Sequence, residues 1–199
     1  HSQNIEGSLV AIPGVRIVYP SFADDAAGLL RTAIRSKGLT MFMEPKALYQ
    51  DPKAATTVPD DFEVPFGKAR IRKEGSDLTI LTYGNTTHLS LAAADKLADE
   101  GVSVEVIDLR SLVPLDEETI LNSIKKTNKV LVVHEDKVHG GFGGELSAII
   151  TDKAFEYLDA PIKRVGSPFT PVGFNRILEK AILPNADAIL DAVKDLISY

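Results

Sequence analysis

The thirteen residues VHEDKVHGGFGGE, Val133 to Glu145, hold two of the chain's four histidines, three carboxylates and four glycines. His134, Glu135, Asp136 and His139 are ligand types for a divalent cation. Neighbours on an extended segment face opposite sides, so these four do not converge on one ion without a special turn, and the metal reading is set aside. Gly140, Gly141, Gly143 and Gly144 can bring backbone N–H groups to a phosphate at a helix start. Their spacing matches neither the dinucleotide fingerprint nor the lysine-bearing Walker loop. The favoured reading is a tight turn that lets a helix begin close to a sheet or to a partner subunit, with phosphate binding the weaker alternative. Elsewhere, Asp108 and Arg110 read as an ion pair closing a strand end, and His88 as a capping or surface residue. No nucleophile elbow of the G-x-S-x-G type occurs. His1 stands first, before a polar turn, and reads either as a tag remnant or as a working residue.

The elements that must position these residues fall into two parts. Val15 to Tyr19 is β-branched and aromatic and stops at Pro20, which predicts a strand. Ser21 offers an N-cap, Asp24 and Asp25 suit a first helical turn, and the apolar spacing predicts a helix over 22–35. Gly38 ends it, and Leu39 to Met43 reads as a second strand. Two strands and a helix cannot bury their own faces, so residues 1–50 are expected to be half of a larger sheet domain. Prolines 45, 52, 59 and 65 interrupt the next stretch, and residues 51–75 are expected to form an extended linker. Within it, KARIRK (Lys68–Lys73) reads as an edge strand or linker with a solvated face. From residue 76 to 199, strand patterns (LTILTYG, VSVEVIDL, KVLVVHE, IKRVGSP) alternate with helical ones. That alternation predicts a complete α/β domain, its sheet mostly parallel and covered by helices on both faces.

Composition narrows the function. Apolar residues make up 44% of the 199 and charged residues 25%, enough for a real core. The absence of cysteine excludes disulfides, thiolate metal sites and thiol nucleophiles, and fits the cytoplasm as the expected location. A net charge of −6 argues against nucleic acid as the main partner. No apolar run approaches the roughly 20 residues of a membrane span, so no membrane partner is expected. No secretory signal pattern is visible in these residues.

Several stretches together carry a family resemblance: HSQ, IPGVRIVYPS, DAAGLLRTAIR, MFMEPKALY, DLRSLVPLD, VVHE followed by GGFGGE, and ILP. They resemble the β subunit, or the β-like C-terminal part of a fused chain, of the thiamine-diphosphate-dependent decarboxylase component of 2-oxoacid dehydrogenase complexes, of branched-chain or pyruvate type. The resemblance implies that 1–50 is the second half of a pyrimidine-binding domain and 76–199 a transketolase-type C-terminal domain. It implies oxidative decarboxylation of a 2-oxo acid, the branched-chain acids slightly preferred over pyruvate, and acylation of lipoyl-lysine. His1 would then be the catalytic imidazole of the HSQ motif, standing at a truncation. The implied cofactors are thiamine diphosphate with magnesium, whose main determinants belong to an α subunit or to residues upstream. The chain alone is therefore expected neither to hold the coenzyme tightly nor to turn over. A potassium ion would rest on the carbonyls of Ala33 and Ile34, but Ser36 and Gly38 stand where Asp and Asn side chains would complete that site. Implied partners are the α subunit, a second β subunit and the lipoyl acyltransferase core. The rival readings are a transketolase or deoxyxylulose-phosphate synthase fragment, and a non-catalytic assembly domain.

Overall fold

The computed structural model describes residues 3–199. After a single helical turn, α1 (Glu6–Leu9), come β1 (Arg16–Val18), α2 (Ala23–Arg35) and β2 (Thr40–Phe42), with β1 and β2 parallel. The pattern expected over 15–43 is therefore present. Its cap is not: Ser21 makes no capping bond, and Phe22 precedes the first turn. The Ser21 hydroxyl instead donates to Asp108 Oδ1 at 3.0 Å and lies 2.9 Å from Thr87 Oγ1. Asp108 is wholly buried, and a buried carboxylate without donors is costly, so the hydroxyl serves it rather than the helix.

The small sheet gains a third strand that the sequence reading did not foresee. β6 (Ser111–Val113) runs antiparallel to β1, giving the order β2-β1-β6. The stretch expected to be an extended linker contains a 3₁₀ turn at Pro52–Ala54 and then β3 (Arg70–Lys73). β3 is an edge strand, antiparallel to β5 (Val104–Asp108). Its face is not fully solvated as expected, because Arg72 points inward with its side chain only 8% exposed.

The main sheet has the order β3-β5-β4-β7-β8, with β4 at Leu78–Thr82, β7 at Val130–Lys137 and β8 at Lys163–Ser167. β4, β5, β7 and β8 are mutually parallel. The helices are α3 (Asn85–Asp99), α4 (Glu117–Thr127), α5 (Phe142–Ala154), α6 (Arg176–Ile182) and α7 (Ala186–Ile197), and α6 was not foreseen. Strand side chains alternate between two cores, as period-two geometry requires. Leu78 and Ile80 of β4 and Leu131 and Val133 of β7 pack with Ala94 and Leu97 of α3 and Val193 and Leu196 of α7. Leu81, Val130 and Val132 face the other way, onto Ile120 and Ile124 of α4 and Leu146 and Ile150 of α5. That second core also takes in Val15, Ile17 and Tyr19, so β1 docks on the helix-covered face of the main sheet. No helix among the described residues is long and apolar enough to cross a membrane.

Candidate functional site

Crevices for ligands in sheets of this kind open beyond the carboxyl ends of parallel strands. At that end of β4 and β7 the chain gathers a polar cluster from three separate stretches. Tyr83 follows β4, and its hydroxyl donates to Glu6 Oε1 of α1 at 3.1 Å. Glu135 and Asp136 close β7, and Asn85 at the start of α3 donates to Glu135 Oε1 at 3.4 Å. Asp136 Oδ2 accepts from the Gly7 N–H at 3.2 Å, and its Oδ1 from Lys137 Nζ at 2.8 Å. Tyr19 packs on Tyr83 with ring centroids 5.2 Å apart.

Burial dominates the electrostatics here. It pushes the Glu6 carboxyl up to about 7, with repulsion from Asp136 adding to it. Burial also raises Glu135, and it raises both tyrosines well beyond their usual range. His134 moves the other way: burial holds its imidazole down, to about 4, so it is neutral near pH 7. Its two ring nitrogens meet no hydrogen-bond partner among the described residues. A Cβ added at Gly143 would come 2.4 Å from His134 Nε2, and Gly141 and Gly166 stand against the same ring. The glycine loop is therefore a close-approach device that lets α5 start directly over a buried histidine, in line with the tight-turn reading.

Of the residues singled out in the sequence, His134, Glu135 and Asp136 belong to this cluster. His139 does not: it is exposed and packs at a tilt against Phe169, with centroids 4.5 Å apart. Among the described residues no three His, Asp or Glu side chains are placed to hold a metal ion. The donor set present is thus unsuited to magnesium. His1 lies outside the described residues. Ala33 O accepts the Ser36 N–H at 3.2 Å, closing α2, and the Ser36 hydroxyl donates back to Thr32 O. Ile34 is 75% exposed.

A second cluster joins the first fifty residues to the main sheet. Asp108 and Arg110 do not pair with each other as expected. Arg110 Nη1 reaches Asp25 Oδ1 at 2.8 Å, and Arg72 bridges Asp25 and Asp108, lying 2.7 Å from Asp108 Oδ2. Arg110 adopts a left-handed backbone, φ 58°, which separates its side chain from that of Asp108. His88 is neither cap nor surface residue: its Nε2 lies 2.7 Å from Ser21 O and its ring 4.6 Å from that of Phe22.

Comparison with known proteins follows the same two parts. The family described as transketolase, C-terminal domain, matches residues 67–189, and the transketolase pyrimidine binding domain matches residues 1–52. The chain belongs to the transketolase C-terminal domain family. A solved transketolase-type chain titled "Split gene transketolase, inactive beta4 tetramer" has the same fold, with a TM-score of 0.78 at 23% identity over 96% of this chain and 60% of that one. Among curated relatives, the 2-oxoisovalerate dehydrogenase subunit beta of Bacillus subtilis is 40% identical over 100% of this chain and 61% of its own length. The pyruvate dehydrogenase E1 component subunit beta of Rickettsia felis is 40% identical over 100% of this chain and 60% of its own. The acetoin:2,6-dichlorophenolindophenol oxidoreductase subunit beta of Bacillus subtilis is 39% identical over 99% of this chain and 57% of its own. These matches bear out the resemblance to β subunits of 2-oxoacid dehydrogenases, of both branched-chain and pyruvate types. The chain spans about 60% of the length of these relatives.

Sequence reasoning missed Glu6, Tyr19 and Tyr83 as members of the first cluster. Tyr83 had a usable signal, since it directly follows a buried parallel strand. Glu6 had none, because its partner is 77 residues away.

Proposed function

We propose that the chain is part of the β subunit of a 2-oxoacid dehydrogenase decarboxylase component, one that oxidatively decarboxylates a 2-oxo acid and acylates lipoyl-lysine. The observation that carries this reading is similarity to two 2-oxoacid dehydrogenase β subunits along essentially the whole chain, with the pyrimidine-binding match preceding the C-terminal one. Thiamine diphosphate and its magnesium are held in this reading by an α subunit and by residues outside this chain. No set of side chains able to hold the metal ion is found among the described residues. This chain's own contribution is His1, whose imidazole donates a proton to the departing sulfur of the lipoyl dithiolane and is recharged by water. The partners proposed are an α subunit, a second β subunit and the lipoyl acyltransferase core.

The substrate proposed is a branched-chain 2-oxo acid. A second reading, an acetoin oxidoreductase, is favoured by a relative of that name with nearly equal identity. Assay of the complete enzyme against 2-oxoisovalerate, pyruvate and acetoin separates the two. The branched-chain acid is expected to give the highest kcat/KM, and turnover of acetoin alone overturns the dehydrogenase reading. His1→Ala in that enzyme is expected to leave folding intact and lower lipoyl acylation by about 10²–10⁴-fold. An unchanged rate removes His1 from the mechanism.

A further inference from the structure

Residues 3–12 lie across the end of the main sheet as an appendage with little core of its own. Their one helix, α1, is a single turn without a side-chain cap. Ile5 and Ile12 are about half exposed, at 49% and 48%, while Leu9 and Val10 pack partly buried against the core. The segment is tied down largely by polar contacts. The Gly7 N–H donates to Asp136 Oδ2 at 3.2 Å, Lys137 Nζ to Asn4 O at 3.3 Å, Tyr83 to Glu6 Oε1 at 3.1 Å, and the Val172 N–H to Gln3 Oε1 at 2.7 Å. The approach is close: a Cβ at Gly7 would stand 2.6 Å from Gly140 O and 2.8 Å from Asp136 Oδ2.

We propose that Glu6 is the catch of a proton-operated latch, holding residues 3–12 on the Tyr83–Asp136 end of the sheet when protonated and releasing them when ionised. Glu6 is wholly buried, and its Oε2 meets no donor among the described residues. A carboxylate so placed would lack the pairing that a buried charge requires, whereas the neutral acid leaves only one unpaired O–H, a much smaller cost.

Among the described residues, the surroundings offer no free cation. From β7, Asp136 and Glu135 oppose ionisation, and Lys137 of the same strand is engaged by Asp136 Oδ1 and Asn4 O. His134, also on β7, is neutral near pH 7. From β4 and β1 come the hydroxyls of Tyr83 and Tyr19, and from α3 the Asn85 amide, which serves Glu135. Glu179 of α6 adds negative charge near Glu135.

With a carboxyl that titrates at about 7 in place and at the ordinary 4.5 once released, the docked state binds more protons between those values. Docking therefore weakens as pH rises through that window, by up to tenfold per unit and on the order of 100-fold in all. A one-turn element with partly exposed apolar residues is where such local opening is least opposed. The latch stands independently of the reaction proposed for His1.

Amide hydrogen exchange on the whole protein that carries this chain tests it, with rates corrected for intrinsic pH dependence and Val130–Val133 of β7 as the internal reference. The Gly7, Leu9 and Val10 amides are expected to lose protection on the order of 100-fold between pH 5 and pH 8 relative to that reference. Glu6→Gln is expected to keep them protected across the range. Asp136→Asn, which retains an acceptor oxygen, removes a charge that repels ionised Glu6 and is expected to move the midpoint of the loss to lower pH, while a midpoint moved to higher pH overturns the latch. A flat wild-type profile, or a Glu6→Gln profile that follows the wild type, overturns the latch. Should Glu6→Gln fail to fold, Tyr83→Phe serves instead: it removes the hydrogen bond to Glu6 Oε1, and unchanged protection of residues 7–10 at every pH overturns the latch.

Discussion

The buried cluster on the α2 side of the first fifty residues consists of Val18 and Leu29, closed by Val64 from the segment that follows, whereas the α3–α7 side of the main sheet holds thirteen buried apolar residues. The outer face of α2 remains open, with Leu30 45% and Ile34 75% exposed, while Ile189, Val193 and Leu196 of α7 are wholly covered. The two regions are therefore held by different forces. The main sheet is held by apolar burial. The first fifty residues rely on docking: β1 contributes Val15, Ile17 and Tyr19 to a core shared with the main sheet, and Asp25 is locked between Arg72 and Arg110.

The largest effect is expected where that lock is broken. Asp25→Ala leaves Arg72 and Arg110 without their shared carboxylate and is expected to cost about 3–5 kcal/mol, read by denaturant unfolding. A loss below 1 kcal/mol would mean that docking rests on β1 packing alone. Truncation in the two cores sharpens the contrast. Ile80→Ala and Leu29→Ala each remove a wholly buried side chain and are each expected to cost about 2–5 kcal/mol. Ile80→Ala is expected to lower protection throughout the main sheet, and Leu29→Ala only in β1, α2 and β2, as amide exchange would show.

Acid sensitivity is expected to belong to the main sheet. His134 has its folded value depressed to about 4 from 6.5. Between those values the unfolded chain binds more protons, so the stability is complete above 6.5 and is lost as pH falls towards 4, by about 3 kcal/mol. His134→Gln should flatten that slope, which unfolding curves at pH 4.5 and 7 would test. Gly143→Ala drives a methyl against the same imidazole and is expected to cost about 1–3 kcal/mol. Combined with His134→Ala, the cost of the added methyl should largely disappear. For the latch, Asp136→Asn removes a charge that repels ionised Glu6, so Glu6 loses its proton more readily and the midpoint of release moves to lower pH. The smallest effect, within about 1 kcal/mol, is expected for Lys194→Ala, whose partner Glu100 is half exposed.

Much of the architecture was legible because it rests on local pattern. The alternation of buried strands with amphipathic helices produced the α/β reading, and the strand–helix–strand unit over 15–43 was visible in the same way. β6 was not legible: it is three residues long and follows β5 after a left-handed Arg110, too short for any periodicity to register. α6 escaped because it buries no residue and so carries no apolar stripe facing the core. In KARIRK, alternating charge looked like a solvated face, but one of those charges, Arg72, is paired with buried carboxylates.

The sequence by itself determined the alternation of the longer strands and helices, the parallel sheet and the family resemblance, because hydrophobic period and turn residues act over a few neighbours. Only the tertiary structure decided which charges pair and which acids are buried together. Glu6, Tyr83 and Asp136 are distant along the chain and meet only when β4 and β7 lie side by side beneath α1. Their electrostatics come from lost water and from one another, and neither exists until the chain has folded.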